Sequence, residues 1–424
     1  MKTKIINAKL LIYKDGQFVI EEKDLYVKDT EIISVGPAPA DAEAYEIFDA
    51  KDKLVMPGLI NMHTHAYMTI LRNYADDVDF GEWLFGRIDP VENQLTYEDA
   101  YTANLLAFAE MFMTGTTTYV DMHMFKGQSP KAAKAAGIRA YIGRGLVGDD
   151  LYTDGYSRFA EALEEKEEYE SDLIRFTLAP HAIYTCSPKF YAQVAEECAK
   201  RGLIKQTHLS ESKTELENAL AKYGKSPVAV LQETGFLDNA ILAHCVQMQA
   251  NDLEIIKNAN ATIVTNPASN AKLGNGFAPV ADIKAAGINL CLGTDGTASN
   301  NSLNMFREMG LLSLIHKGIA CDSTAMPAQE VLKSVTVNAA KALGMEGKLG
   351  IIKEGAQADL IFLDLKTPSM YPNNNIISSL CYSANGSEVR DVMVAGKFVM
   401  KNNALLTIDM EKVYEDSKVW ERFQ

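Results

Sequence analysis

Residues 54–65 read LVMPGLINMHTH, an apolar run that ends in two histidines two positions apart. Successive side chains on a strand alternate faces, so His63 and His65 project the same way from the end of one strand. Seven further β-branched or apolar runs follow: TTTYVDM (116–122), IRAYIGRGLV (138–147), IRFTLAPH (174–181), IKQTHLS (204–210), AILAHC (240–245), ATIVTNP (261–267) and INLCLGTD (288–295). Amphipathic helical segments separate most of them. Strands that read as near-continuous apolar runs between helices belong to a parallel sheet buried on both faces. Eight such units in succession predict an α/β fold of the (β/α)₈ TIM barrel type rather than an open sheet.

Working outward, both flanks change texture. KIINAKLLIY (4–13), FVIEEKDLYV (18–27) and EIISVG (31–36) alternate in the manner of short antiparallel strands, and KLGIIKEG (348–355), ADLIFLD (358–364) and VRDVMVAGKFVMKNN (389–403) do the same after Gly344. The expected organisation is a discontinuous small β-sandwich domain from residues 1–55 and 345–424 around a barrel domain at 56–344. A net charge of −15 excludes a chain that tracks a nucleic-acid backbone or an anionic membrane and favours a small-molecule partner. No apolar run reaches the roughly 18 residues of a membrane helix. The six cysteines are scattered without a C-x-x-C pair, which fits free thiols in a reducing, cytoplasmic setting.

Chemistry-bearing residues recur at strand ends. Besides His63 and His65, His208 ends the fifth run, His244 the sixth and Asp295 the eighth. Barrel enzymes build their sites at the C-terminal ends of their strands, so these side chains are expected to meet at one mouth. Three imidazoles and a carboxylate suit one divalent metal, zinc first and iron or manganese as alternatives. His63, His65, His208 and Asp295 form the expected ligand set, and His244 is a fifth member free to hold the bound water.

The segments PGLINMHTH (57–65), HLSES (208–212), LAHC (242–245), NPASNAKLGNG (266–276) and GTDGTASNNS (293–302), with GKLGIIKEGAQADLIFLD (347–364), resemble the amidohydrolase superfamily. More narrowly, the chain resembles its S-adenosylhomocysteine/5′-methylthioadenosine deaminases. The resemblance implies a single metal, hydrolysis of the 6-amino group of an adenine nucleoside, and a water-contacting role for His244. Relatives with two metals carry a carboxylated lysine on strand four. Here LAPHAIY (178–184) has His181 and no lysine.

A metal lowers the pKa of water from about 15.7 to near 7, and the departing amine needs a proton. Glu211, three residues beyond His208, is the expected shuttle; its alternative is an acid at a helix start whose capping box runs from Ser212 to Glu215. Asp295 takes the first proton from water, and His244 steers that water. The resemblance also implies substrate contacts at Glu92 and Trp83 (in WLFGRIDPVENQL, 83–95), Arg144, Arg158, His181 and Ser299. Glu92 would hold ribose hydroxyls and the arginines a 5′ carboxylate, while Ser299 has the alternative of capping a helix near Ser302. His123 is expected to line the mouth at most, and His316 to be structural or interfacial. Competing readings are a triazine or pyrimidine hydrolase, a guanine or cytosine deaminase, and a barrel kept as a scaffold. Apolar outer helix positions point to a homo-oligomer.

Overall fold

In the computed structural model, which describes residues 1–423, the eight predicted runs are eight consecutive parallel strands: Leu59–Thr64, Thr116–His123, Arg139–Leu146, Ile174–Pro180, Ile204–Leu209, Ile241–His244, Thr262–Thr265 and Asn289–Leu292. Helices follow the strands and cover the outer face. Ile60, Met62, Val120, Tyr141, Ile241, Val264 and Cys291 fill the interior, so the barrel is a packed core and not a channel. The last strand returns to the first at the mouth, where the Asp295 N–H donates to the His63 carbonyl at 2.9 Å. Gly293 permits this approach. A Cβ there would sit 2.9 Å from both the backbone N and O of His63, closer than van der Waals contact allows.

The two flanks meet. Lys53–Pro57, which leads into the first barrel strand, pairs antiparallel with Leu360–Asp364 at the centre of a seven-stranded sheet. A second sheet of four strands (Lys2–Ile6, Leu25–Lys28, Glu31–Val35 and Glu46–Asp49) packs on it. Ile5, Leu25, Val27 and Phe48 from one sheet share a core with Leu10, Val55, Leu360, Phe362 and Met393 from the other. A buried two-bond ion pair joins this unit to the barrel, with Arg139 Nε and Nη2 at 2.6 and 3.0 Å from the Asp359 carboxylate.

KLGIIKEG is not a strand. Gly350 and Gly355 take left-handed backbone angles (φ 66° and 78°), which breaks the run into turns while Ile352 stays buried. Among the described residues no helix is long and apolar enough to cross a membrane. Because the Gly293 approach is backbone against backbone, neither side can rotate away. Gly293→Ala is expected to cost about 1–3 kcal/mol, read as a lower urea midpoint with unchanged slope.

Candidate active site

The strand ends bring His63, His65, His208, His244 and Asp295 together. Ring nitrogens of His63, His65 and His208 lie within 4.8 Å of one another, and so do the ligating atoms of His63, His244 and Asp295. Asp295 Oδ1 is 3.6 Å from His63 Nε2 and 3.4 Å from His65 Nε2.

Tautomers decide what this cluster accepts. His65 Nδ1 lies 2.7 Å from the Met122 carbonyl and His208 Nδ1 lies 2.8 Å from the His181 carbonyl. A carbonyl only accepts, so each Nδ1 carries the ring's hydrogen and each Nε2 is a bare lone pair. Those two Nε2 atoms face each other at 3.2 Å, too close for two lone pairs with no cation between them. His63 Nε2 is likewise buried without a hydrogen-bond partner. Burial holds His208 well below its usual pKa and lowers that of His63 to about 4, so both rings are neutral and ready to ligate. The donor set fits a divalent cation.

Each member has a support. Burial would raise the Asp295 carboxyl, but His63, His244 and His65 outweigh it and hold it well below the usual range. Its Oδ2 accepts from the hydroxyls of Ser269 (2.6 Å) and Ser299 (2.9 Å), leaving Oδ1 toward the histidines. His244 Nδ1 donates to Asn270 Oδ1 at 2.9 Å, which turns Nε2 toward Glu211 Oε2, 3.8 Å away. Glu211 is buried, and desolvation lifts its pKa to about 7 although Asn275 Nδ2 donates to it at 3.1 Å.

Glu215 behaves differently from its expected role. Ser212 does cap the helix Lys213–Tyr223 by accepting from the Glu215 N–H, but the Glu215 carboxylate does not return the bond to Ser212. It accepts instead from the backbone N–H groups of Ser210 and Glu211, at 2.9 and 2.7 Å. The spacing that suggests a capping box therefore marks the residue that fixes the Glu211 backbone. Ser269, Asn270 and Asn275 have no role in the sequence reading, although all three sit in the quoted NPASNAKLGNG.

One cavity opens onto the cluster and is lined by Trp83, Glu92, Arg158, His181, Glu211 and Ser299, together with Tyr67 and Asp89. Glu92 accepts from the Tyr67 hydroxyl at 2.5 Å, and desolvation raises its carboxyl. His181 is half-buried, desolvation lowers its pKa to about 3, and its Nδ1 faces Thr185 Oγ1. Ser299 caps no helix. The helix starting at Met305 is capped by Asn304, and the Ser299 hydroxyl orients Asp295.

Arg144 does not reach the cavity. Gly143, its neighbour on the strand, faces the barrel interior beside Thr177 and Gln206, so alternation turns Arg144 out to the helix layer. There its Nε and Nη2 contact Glu161 at 2.9 and 2.5 Å, and Nη1 donates to the Met124 carbonyl. The expectation of a substrate contact at Arg144 is corrected accordingly. His123 does not line the cavity either; it is buried with Nε2 3.3 Å from Glu165. His316 packs in the helix Met305–Ala320 near Phe277.

Partners of metal-ligating groups set metal affinity. Ser269→Ala removes the shorter of the two hydroxyl donors to Asp295 Oδ2, and we expect metal affinity to fall about 10- to 100-fold, read by competition with a chelator.

Residues 54–399 match the Amidohydrolase family. The chain is 40% identical over 97% of its length to a 5-methylthioadenosine/S-adenosylhomocysteine deaminase of Thermoanaerobacter pseudethanolicus, covering 97% of that protein. It is 39% identical over 98% of its length to a 5′-deoxyadenosine deaminase of Methanosarcina mazei, covering 96%. The crystal structure of a zinc-bound adenosine deaminase from Xanthomonas campestris superposes with a TM-score of 0.92 at 30% identity, over 99% of each chain.

Proposed function

The chain belongs to the amidohydrolase family, and from that premise we propose that it removes the 6-amino group of a 5′-substituted adenine nucleoside by hydrolysis, giving the inosine analogue and ammonia. The observation that carries the reading is the pairing of a cation-ready cluster with a buried carboxyl, Glu211, whose pKa lies near neutrality. His63, His65, His208 and Asp295 would hold one divalent ion, zinc by the chemistry of three imidazoles and a carboxylate and by the zinc of the Xanthomonas structure. That ion supplies Lewis acidity and a water that loses its proton near neutral pH.

The chain's own groups do the rest. Asp295 Oδ1 accepts the first proton from the attacking water. His244, its Nδ1–H committed to Asn270, aims Nε2 at that water and at Glu211. Glu211 carries a proton to the departing amine, a task suited to an acid with a pKa near the working pH. Glu92 retains acceptor capacity beside the Tyr67 hydroxyl and takes the ribose hydroxyls. A free base would leave the remaining acceptor capacity of this half-buried carboxylate unmet and is disfavoured. Free, unpaired cysteines throughout the described residues support a cytoplasmic setting, and exposed Leu314 and Ile319 on one outer helix support a homo-oligomer.

Two outcomes check this reading. Glu211→Gln should keep the metal and lose at least about 10²–10⁴ in kcat, followed by the absorbance change from adenine to hypoxanthine; near-normal turnover contradicts the role. Asn275→Ala removes an N–H that favours the Glu211 carboxylate, so the protonated form persists to higher pH. The alkaline limb of the kcat/KM profile should therefore move to higher pH than in the native chain, and a limb moved to lower pH contradicts it.

A further inference from the structure

The lysine of NPASNAKLGNG has no part in the chemistry described above. Lys272 ends the helix Pro267–Lys272, whose Ser269 and Asn270 support Asp295 and His244. It is not among the residues lining the cavity. Its ammonium carries three N–H groups, and three acceptors surround it: Asp76 Oδ1, Asn301 Oδ1 at 2.5 Å and the Ala298 carbonyl at 3.5 Å. They come from two separate loops, one after the first barrel strand and one after the eighth. Asn301 Nδ2 also donates to Asp76 Oδ1, at 3.1 Å. Burial would raise the Asp76 carboxyl, but Lys272, Asn301 and Asn73 outweigh it and hold it below the usual range.

The loop after the first strand builds one wall of the cavity with Phe80, Trp83, Leu84 and Glu92. Residues 72–79 form neither helix nor strand. Arg72 ties the base of this stretch to the Asn301 carbonyl at 2.6 Å. Beyond it, among the described residues 73–82, only Asp76 hydrogen-bonds outside the segment 71–88. Further along, Trp83 Nε1 donates at 3.2 Å to the same Ala298 carbonyl that Lys272 meets. Trp83, Ile88 and Val91 pack with Ala298 and with Leu273, the neighbour of Lys272. We propose that Lys272 is a positioning residue for the substrate: by gathering Asp76, Asn301 and Ala298 on one ammonium it seats the wall that presents Trp83 and Glu92, and so sets nucleoside affinity rather than the rate of the chemical step. This rests on the nucleoside reading of the site. Three donors radiating from one atom suit acceptors on diverging loops, which a planar guanidinium does not. A half-exposed pair contributes up to about 1 kcal/mol to global stability, so its loss displaces the wall without unfolding the chain.

The test separates binding from chemistry. 5′-Methylthioadenosine turnover is measured for the zinc-loaded native chain, Lys272→Met, Asp76→Asn and the double variant. Lys272→Met should keep its metal, hold kcat within about twofold and raise KM at least about tenfold, the pattern of lost binding common to ground and transition states. Asp76→Asn should raise KM in the same direction, and the double variant should be no worse than Lys272→Met, because both changes break one network. A second arm needs no substrate. In a Trp420→Phe background Trp83 is the sole indole, and its quenching by acrylamide should increase in Lys272→Met. Native KM with unchanged quenching in Lys272→Met overturns the proposal. Loss of metal with a matching fall in kcat also overturns it, since Lys272 would then act on the cluster. A native chain that turns over no adenine nucleoside overturns the nucleoside reading and the affinity claim with it, while increased quenching still supports the seating of the wall.

Discussion

Two lone pairs forced together organise this molecule. His65 and His208 spend their only ring hydrogens on the carbonyls of Met122 and His181, so their Nε2 atoms meet at 3.2 Å with nothing to donate. Both carbonyls belong to barrel strand ends, so the tautomers are fixed by the backbone that fixes the barrel. The clash is relieved by a cation, which makes metal binding a term in the stability of the folded mouth as well as a requirement of chemistry. Closure at Gly293 completes the arrangement by laying Asp295 against the first strand.

Around that centre a single segment coordinates the remaining groups. Within Asn266–Asn275, Ser269 holds Asp295, Asn270 holds His244 and Asn275 holds Glu211. The segment is itself anchored by Glu308, a fully buried side chain whose carboxyl accepts from the Ala268 N–H at 3.0 Å and from Asn300 at 2.9 Å and so ties the loops after strands seven and eight together. Glu215 performs the equivalent service for Glu211 through the backbone. Activity built this way depends on side chains that never touch substrate, because groups must be held within a fraction of an ångström to favour the transition state over the ground state.

The strand count and the meeting of His63, His65, His208, His244 and Asp295 at one mouth were legible because each follows from a local rule: apolar runs of strand length, alternation along a strand, and placement at a C-terminal strand end. Arg144 ends its strand as the site residues do, and only the inward-facing Gly143 beside it in the structure fixes that alternation turns it to the helices. Glu215 shows a different obstacle. Its spacing from Ser212 is correct for a capping box, and only the path of the backbone through Ser210 (φ 51°) decides which N–H groups its carboxylate meets. KLGIIKEG alternates well enough for a strand, but the left-handed angles at Gly350 and Gly355 override the pattern.

X-ray absorption at the zinc edge of the purified, zinc-loaded chain tests the account at its centre. Convergence of His63, His65, His208 and Asp295 on one ion predicts a single shell of nitrogen and oxygen at about 2.0–2.2 Å with imidazole scattering behind it. A sulfur shell at about 2.3 Å, or a second metal at about 3.5–4 Å, would contradict it.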